Sequence, residues 1–331
     1  MNLLITGGCG FIGSNFVNLA VKKRSAVKRI IILDSLTYAG DYENIRDSVD
    51  DHHKVTHENV DLKDERYVNA VFKKYRITHV VHFAAETHVD NSISGPRPFI
   101  ESNIVGTFNL LEACKKYEVE RYHHISTDEV YGELGDKGKF SEDSPYAPRN
   151  LYAASKAASD HMVRAYFHTF GFPATLSNCS NNYGPNQHKE KFIPVVINSI
   201  LDRKKIPVYG KGKNVRDWVY VEDHCLALWT ILLKGELGET YNVGANNEKN
   251  NLQVIYDIAK LLRVEPEACI EFVEDRLGHD FRYAIDSSKI AKELKWKPKY
   301  SFEKGLLKTV SHYKSLYGTE FKDLADQCDH D

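Results

Sequence analysis

Apolar and polar positions along this chain follow two alternating periods. Short apolar runs, the length of buried strands, recur at residues 3–6, 29–33, 77–85 and 122–126, with a weaker strand at 54–58. Between them, apolar residues return every three or four positions: after Phe11, from 64 to 75, from 96 to 117 and from 150 to 169. The first period suits strands covered on both faces and the second suits amphipathic helices. Strand followed by helix, repeated through residue 170, predicts an α/β fold with a doubly wound parallel sheet. Beyond that point the pattern is less regular. Residues 178–191 are polar and read as a loop, and 192–201 as a helix. Short strands at 206–209, 218–221 and 241–243 then mix with helices near 223–233, 252–262, 286–294 and 302–317. This predicts a second, smaller α/β substrate lobe over residues 179–331. The first domain would span 1–178 and take back segments near 214–243, leaving a cleft between the two lobes. The acidic stretch 323–331 reads as a tail.

The first strand ends in a turn with three glycines, Gly7, Gly10 and Gly13, and a helix opens inside it at Phe11 and Ile12. Glycine permits positive φ and lets the backbone come close to a pyrophosphate, while the helix N-terminus offers free N–H groups. The second apolar strand ends in Asp34, about 20 residues past the last glycine, where a carboxylate can take the hydroxyls of an adenosine ribose. The combination predicts a Rossmann dinucleotide site, and the acid at 34 favours NAD over NADP. Asp61 and Leu62 follow the third strand and can cover the adenine edge; the plainer reading is a cap for the helix after them. Small Ala84 and Ala85 end the fourth strand and suit close contact with a cofactor. Residues 86–92 are too polar for a core and sit at the carboxyl end of a parallel strand, where ligands bind.

At 331 residues the chain is long enough for two lobes, and its 27% charged and 42% apolar content is that of a globular protein. A net charge of −2 gives no electrostatic case for nucleic acid or an anionic membrane. No apolar run approaches the ~20 residues of a membrane helix. The chain begins in its first strand, which leaves no room for a signal peptide. Six cysteines without C-x-x-C spacing favour a reducing cytoplasm, and Cys9 reads as a small filler in the glycine turn. His123 and His124 are neighbours in a strand and so point to opposite faces; no metal site is predicted.

Tyr152 and Lys156 stand four apart on one helix face. A phenol is a weak base at neutral pH, and a neighbouring ammonium together with a nicotinamide cation would favour its phenolate. The pair can therefore take a proton from a carbinol as hydride leaves. Thr127, Asp128 and Glu129 close the fifth strand. Strand geometry would send the two acids to opposite faces, so serving one substrate requires the chain to leave that geometry, which Gly132 eases. Two acids with separated pKa values can divide acid and base duties. Simple alcohol oxidation needs neither, so their presence suggests an added elimination of water.

The motifs T-G-G-x-G-F-I-G, A-A-E-T-H-V-D, S-T-D-E-V-Y-G, Y-x-x-x-K, S-N-N-Y-G-P-N-Q, V-R-D-W-V-Y-V-E-D-H and R-L-G-H-D resemble those of extended short-chain dehydrogenases, most closely the dTDP-glucose 4,6-dehydratase family. The resemblance runs from residue 1 to about 315. It implies an internal redox cycle on a nucleoside-diphosphate hexose with tightly held NAD. Tyr152 would deprotonate the sugar 4-hydroxyl, Thr127 would hold that oxygen and Lys156 the NAD ribose. Glu129 would take the C5 proton while Asp128 protonates the leaving C6 hydroxyl. Asn181, Arg216 and Arg276 would hold the diphosphate, and Pro207 and Tyr209 the base. Glu190, Lys191 and Phe192 would line the sugar and nucleotide edge with His88 and Asn251, and His279 and Tyr283 would close the site. A homodimer through the helices near 100–117 and 150–169 is also implied. Two positions depart from the family pattern, Asn178 and Asn91 standing where arginine is expected. They leave open a UDP-glucose or UDP-N-acetylglucosamine 4,6-dehydratase, and a catalytically idle NAD-binding regulator is the alternative from another class.

Overall fold

Leu3, Leu4 and Ile5 are buried on both faces of β1 (Asn2–Thr6), which sits inside the main sheet of the molecule. The computed structural model describes residues 1–23, 25–275 and 279–317. The next strands are β2 (Arg29–Asp34), β3 (Val55–Asn59), β4 (His79–His82), β5 (Arg121–Thr127) and β6 (Ala174–Cys179). They are followed by β7 (Asn181–Tyr183), β8 (Ile206–Tyr209), β9 (Val215–Tyr220), β10 (Thr240–Val243), β11 (Glu248–Asn250) and β12 (Ile270–Val273). Seven of these make one sheet in the order β10-β6-β5-β4-β1-β2-β3, with every pairing parallel. Leu4 stands opposite Ile31 on one side and Val80 on the other. The chain turns from one winding direction to the other around β1 and β4, so their carboxyl ends open a crevice.

Helices cover both faces. On one, Val68, Val71 and Phe72 of the helix Glu65–Tyr75 pack with Leu110 and Leu111 of Thr107–Lys116 and Val163 and Tyr166 of Leu151–Phe170. On the other, Phe16 and Val17 of Phe11–Lys22 pack with Leu228 and Trp229 of Val221–Lys234. Local signals set the ends. Asp64 accepts from the N–H groups of Arg66 and Tyr67 at 3.1 and 3.3 Å, and Gly171 closes Leu151–Phe170 in the left-handed region.

The second lobe has its own apolar centre, where Ile193 and Ile197 of Phe192–Leu201 meet Ile255 and Ile258 of Asn251–Leu262 and Leu306 of Phe302–Leu316. Two small sheets lie there: β11-β9-β7, and β12 paired parallel with β8.

Three expectations need correction. Residues 181–183, read as loop, form β7, because Asn181 to Tyr183 pair with Trp218 to Tyr220 of a distant segment. The fourth strand is shorter than 77–85. The helix read over 96–117 is helical from Arg97 to Lys116 but has a π-helical stretch, Ile100–Gly106. The wider turn shifts its buried face. Asn103, Thr107, Leu110 and Cys114 face inward, whereas Phe108 is 46% exposed.

Candidate active site

Gly7 follows β1 with φ +66°, and a Cβ there would stand 2.6 Å from the Ala84 nitrogen. A Cβ on Gly13 would stand 2.1 Å from the Gly7 carbonyl oxygen, so the first helical turn presses directly on the loop. Gly10 is more open, its nearest neighbour being the Gly7 oxygen at 3.4 Å. The helix Phe11–Lys22 has no side-chain cap and no acidic residue in its first turn, which leaves its leading N–H groups free for an anion. Asp34 is buried at the end of β2. It accepts from the Cys9 and Leu36 N–H groups, each at 2.9 Å, which fixes its carboxylate beside the turn. An open glycine, bare helix N–H groups and a fixed carboxylate in one crevice fit a dinucleotide.

Every position assigned above to the cofactor or to chemistry borders one cavity of about 300 Å³. It runs from Gly7, Asp34, Asp61 and Leu62, past Ala84 and Ala85, to Thr127, Asp128, Glu129, Tyr152 and Lys156.

The chemistry-bearing end is held by two local devices. The chain leaves strand geometry at Thr127, whose Oγ1 accepts from the Glu129 N–H at 3.3 Å and caps a single 3₁₀ turn, Asp128–Tyr131. Gly132 follows at φ +89°, so close to the Ala147 carbonyl oxygen that a Cβ would stand 2.5 Å away. The turn therefore brings both neighbouring acids to the same cavity. The helix Leu151–Phe170 starts at Asn150, whose Oδ1 accepts from the Ala153 N–H at 2.8 Å, and carries Tyr152 and Lys156 buried on its inner face.

The acids and bases differ in environment. Burial, then Glu129 and Asp217, push the Asp128 carboxyl well above its ordinary range, with Arg216 opposing. That favours its neutral form, and its buried Oδ2 has no hydrogen-bond partner among the described residues. Burial, then Glu129 and Cys179, push the Tyr152 phenol upward, while the Thr127 hydroxyl works the other way. The Lys156 ammonium is held at the same end of the cavity, Nζ donating to the Ile125 carbonyl at 2.8 Å. Burial lowers its own pKa, against the pull of Asp160. Burial alone would raise Asp160, but His124, Lys156 and Ser126 carry it below its usual value. His124 Nε2 lies 3.2 Å from that carboxylate, whereas His123 contacts Thr175 and Ser177.

The sequence-assigned substrate residues divide. Asn181, Glu190 and Lys191 border the cavity, Lys191 donating to the Thr87 carbonyl at 2.9 Å. His88 stands beside them, 3.9 Å from Glu190. Phe192 instead stacks on Trp218 in the second lobe's core. Pro207 and Tyr209 are the outward positions of β8, and Asn251 opens a helix. Arg216 lies over the Tyr283 ring at 4.5 Å and donates to the Asp280 carbonyl at 2.8 Å. Tyr209 and His279 have ring centres 6.3 Å apart. None of these seven, from Phe192 to Tyr283, is in the cavity lining. Arg276 lies outside the described residues. Sequence reasoning missed Ser180, Asn182, Gln187 and His188 in the lining. It also missed Asn150, whose only signal is a cap residue two positions before Tyr152.

A sequence model of the GDP-mannose 4,6 dehydratase family matches residues 4–309. The chain belongs to that dehydratase family. Among curated members, the dTDP-glucose 4,6-dehydratase of Salmonella typhimurium is 47% identical, over 95% of this chain and 92% of its own. The crystal structure of a Streptomyces venezuelae dTDP-glucose 4,6-dehydratase, with NAD and dTDP bound, superposes at a TM-score of 0.93. It shares 41% identity over 96% of this chain and 98% of that one. The fold is shared more widely. A Thermus thermophilus UDP-glucose 4-epimerase complexed with NAD gives 0.87 at 31% identity, over 95% and 99% of the two chains. Neither Asn178 nor Asn91, the two departures from the family pattern, borders the cavity. Asn178 is fully buried and donates to the Tyr146 hydroxyl at 3.1 Å.

Proposed function

We propose that this enzyme is an NAD-dependent hydro-lyase that converts dTDP-glucose to dTDP-4-dehydro-6-deoxy-glucose. Bound NAD supplies a reversible acceptor that takes the C4 hydride and returns it at C6. The protein's own groups do the rest. Tyr152, steadied by the Thr127 hydroxyl, takes the proton of the 4-hydroxyl. Burial raises its phenol; the Lys156 ammonium, which would also hold the ribose of NAD, and the positive charge of the bound cofactor would oppose that rise. Once C4 is a ketone, the C5 hydrogen is acidic. Glu129 removes it, Asp128 gives its proton to the C6 hydroxyl, and water leaves. With the hydride returned at C6, Glu129 gives its proton back at C5, and the cycle closes with no net redox change.

What supports this reading most is that Asp128 and Glu129 share a cavity with Tyr152, with burial favouring the neutral form of Asp128 and one of its oxygens unpartnered among the described residues. A carboxylic acid in that state is a proton donor in waiting. Incubation with dTDP-glucose, UDP-glucose and UDP-N-acetylglucosamine, without added reductant, tests it. The expected result is loss of one water's mass from dTDP-glucose at a far higher rate than from either UDP sugar. Conversion of none of the three would overturn the reading.

The same reading takes residues 1–178 with 214–243 as the cofactor half and the remainder of 179–331 as the sugar half. It also takes the protein as a cytoplasmic homodimer. The described cysteines are all unpaired, and Ile100, Val105, Phe108, Leu151 and Phe170 are exposed on the helices near 100–117 and 150–169, apolar positions that a second copy could cover. Phe108→Asp should convert the dimer to monomer in light scattering; an unchanged mass would remove that face from the interface.

A further inference from the structure

The residue before the Tyr152 helix does more than start it. Asn150 Oδ1 is committed to the Ala153 N–H at 2.8 Å, so the polarity of its amide is fixed and Nδ2 must point away from the helix. There it donates to Glu129 Oε2 at 3.1 Å. Its neighbours fasten the same turn. The Ala147 N–H donates to the Val130 carbonyl at 3.0 Å. Arg149 pairs with Glu133 and lies 3.1 Å from Asp280. Segment 147–150 thus runs along turn 129–133, and Asn150 reaches the one side chain in it that the mechanism uses as a base.

Glu129 has three rotatable bonds and is partly exposed, so nothing within its own turn fixes its head group. A neutral amide on Oε2 fixes it and leaves Oε1 for substrate. A lysine or arginine there would hold the carboxylate too, but would make it a weaker base. We propose that Asn150 is a positioning residue for the elimination step: it aims Glu129 at the C5 hydrogen and couples that aim to the helix carrying Tyr152. This rests on Glu129 being the base.

Two variants keep a helix cap and lose the donor. Asn150→Ser supplies a capping hydroxyl only, and Asn150→Asp supplies a capping carboxylate that also repels Glu129. In single turnovers with dTDP-glucose, NADH absorbance should rise as in the parent and decay about 10- to 100-fold more slowly, the range a misaimed group costs. The effect should be larger in Asn150→Asp, with a larger isotope effect from C5-deuterated sugar. Because a like charge favours protonated Glu129, the acidic limb of its rate profile should also move to higher pH. Thermal midpoints close to the parent's would exclude a general loss of structure. Glu129→Gln is run alongside. If Glu129→Gln blocks NADH decay while Asn150→Ser decays at the parent rate, the positioning role is wrong and the base stands. If Glu129→Gln also decays normally, the base assignment itself has failed.

Discussion

The two ends of the cavity are built in different ways. The cofactor end is made of backbone and small residues close together in sequence: β1, a turn, a helix and the next strand. Its shape follows from steric facts at Gly7 and Gly13 and from bare N–H groups. The sugar end is made of side chains from β5, β7, the helix Leu151–Phe170 and the loop before Phe192, brought together only by long-range pairing. The first kind of site is written in spacing and can be read from a single sequence. The second depends on which distant residues meet, and spacing says little about that.

The largest way to break this contrast is at the seam. Glu129→Gln removes one basic carboxylate and leaves shape and backbone in place, so NADH should still form on mixing with substrate while elimination falls about 10²- to 10⁴-fold. Stopped-flow absorbance checks this, and full elimination would return Glu129 to a structural role. The cofactor end should respond differently to its glycines. Gly13→Ala, with its 2.1 Å clash against backbone, should weaken NAD about 100-fold or more, close to 3 kcal/mol, and lower the melting point of the NAD-free protein. Gly10→Ala should weaken NAD while leaving that melting point in place. Calorimetry with and without NAD separates the two.

A third test concerns the sheet beneath both ends. His82, His123, His124 and His224 are buried, and burial lowers their pKa values, to about 3 for His123 and His224 and about 4 for His124. Unfolded, each would titrate near 6.5, so below that pH the unfolded chain binds more protons. Stability should be full above about pH 6.5 and fall as pH drops toward 4, by at most about 1.4 kcal/mol per unit for each histidine. Urea midpoints across that range give the slope, and a flat profile would contradict neutral burial. The smallest effect is expected at Asn178. Asn178→Ala should cost about 1 kcal/mol from one lost hydrogen bond, with the preference for dTDP over UDP sugars unchanged. A changed preference would return that position to the substrate site.

The sequence was legible wherever a local rule decides. The glycine turn, the strand ending in Asp34, the helix of Tyr152 and Lys156 and the later helices from 192 onward all stand close to where periodicity and capping put them. Three features were not, each for a physical reason. β7 is three residues long and exists only by pairing with β9. The π-helical stretch holds Asn103 inward, where it bonds Glu86 and Ser155, and a one-residue change of phase is invisible to a period count. The burial that raises the Tyr152 phenol comes from packing among distant segments, which spacing does not show. The rim residues Pro207, Tyr209, Arg216, Asn251, His279 and Tyr283 came from resemblance alone, and they stand on elements outside the cavity lining.

β10 lies beside β6 at one edge of the main sheet, and the helix Val221–Lys234 packs against Phe11–Lys22. The sheet that opens with the first strand is therefore finished by much later residues. A ribosome must release nearly three-quarters of the product, through Val243 of 331 residues, before the nucleotide-binding half can close. A fragment ending near residue 180 would carry a bare strand margin and an uncovered helix, and should aggregate rather than survive as an independent module.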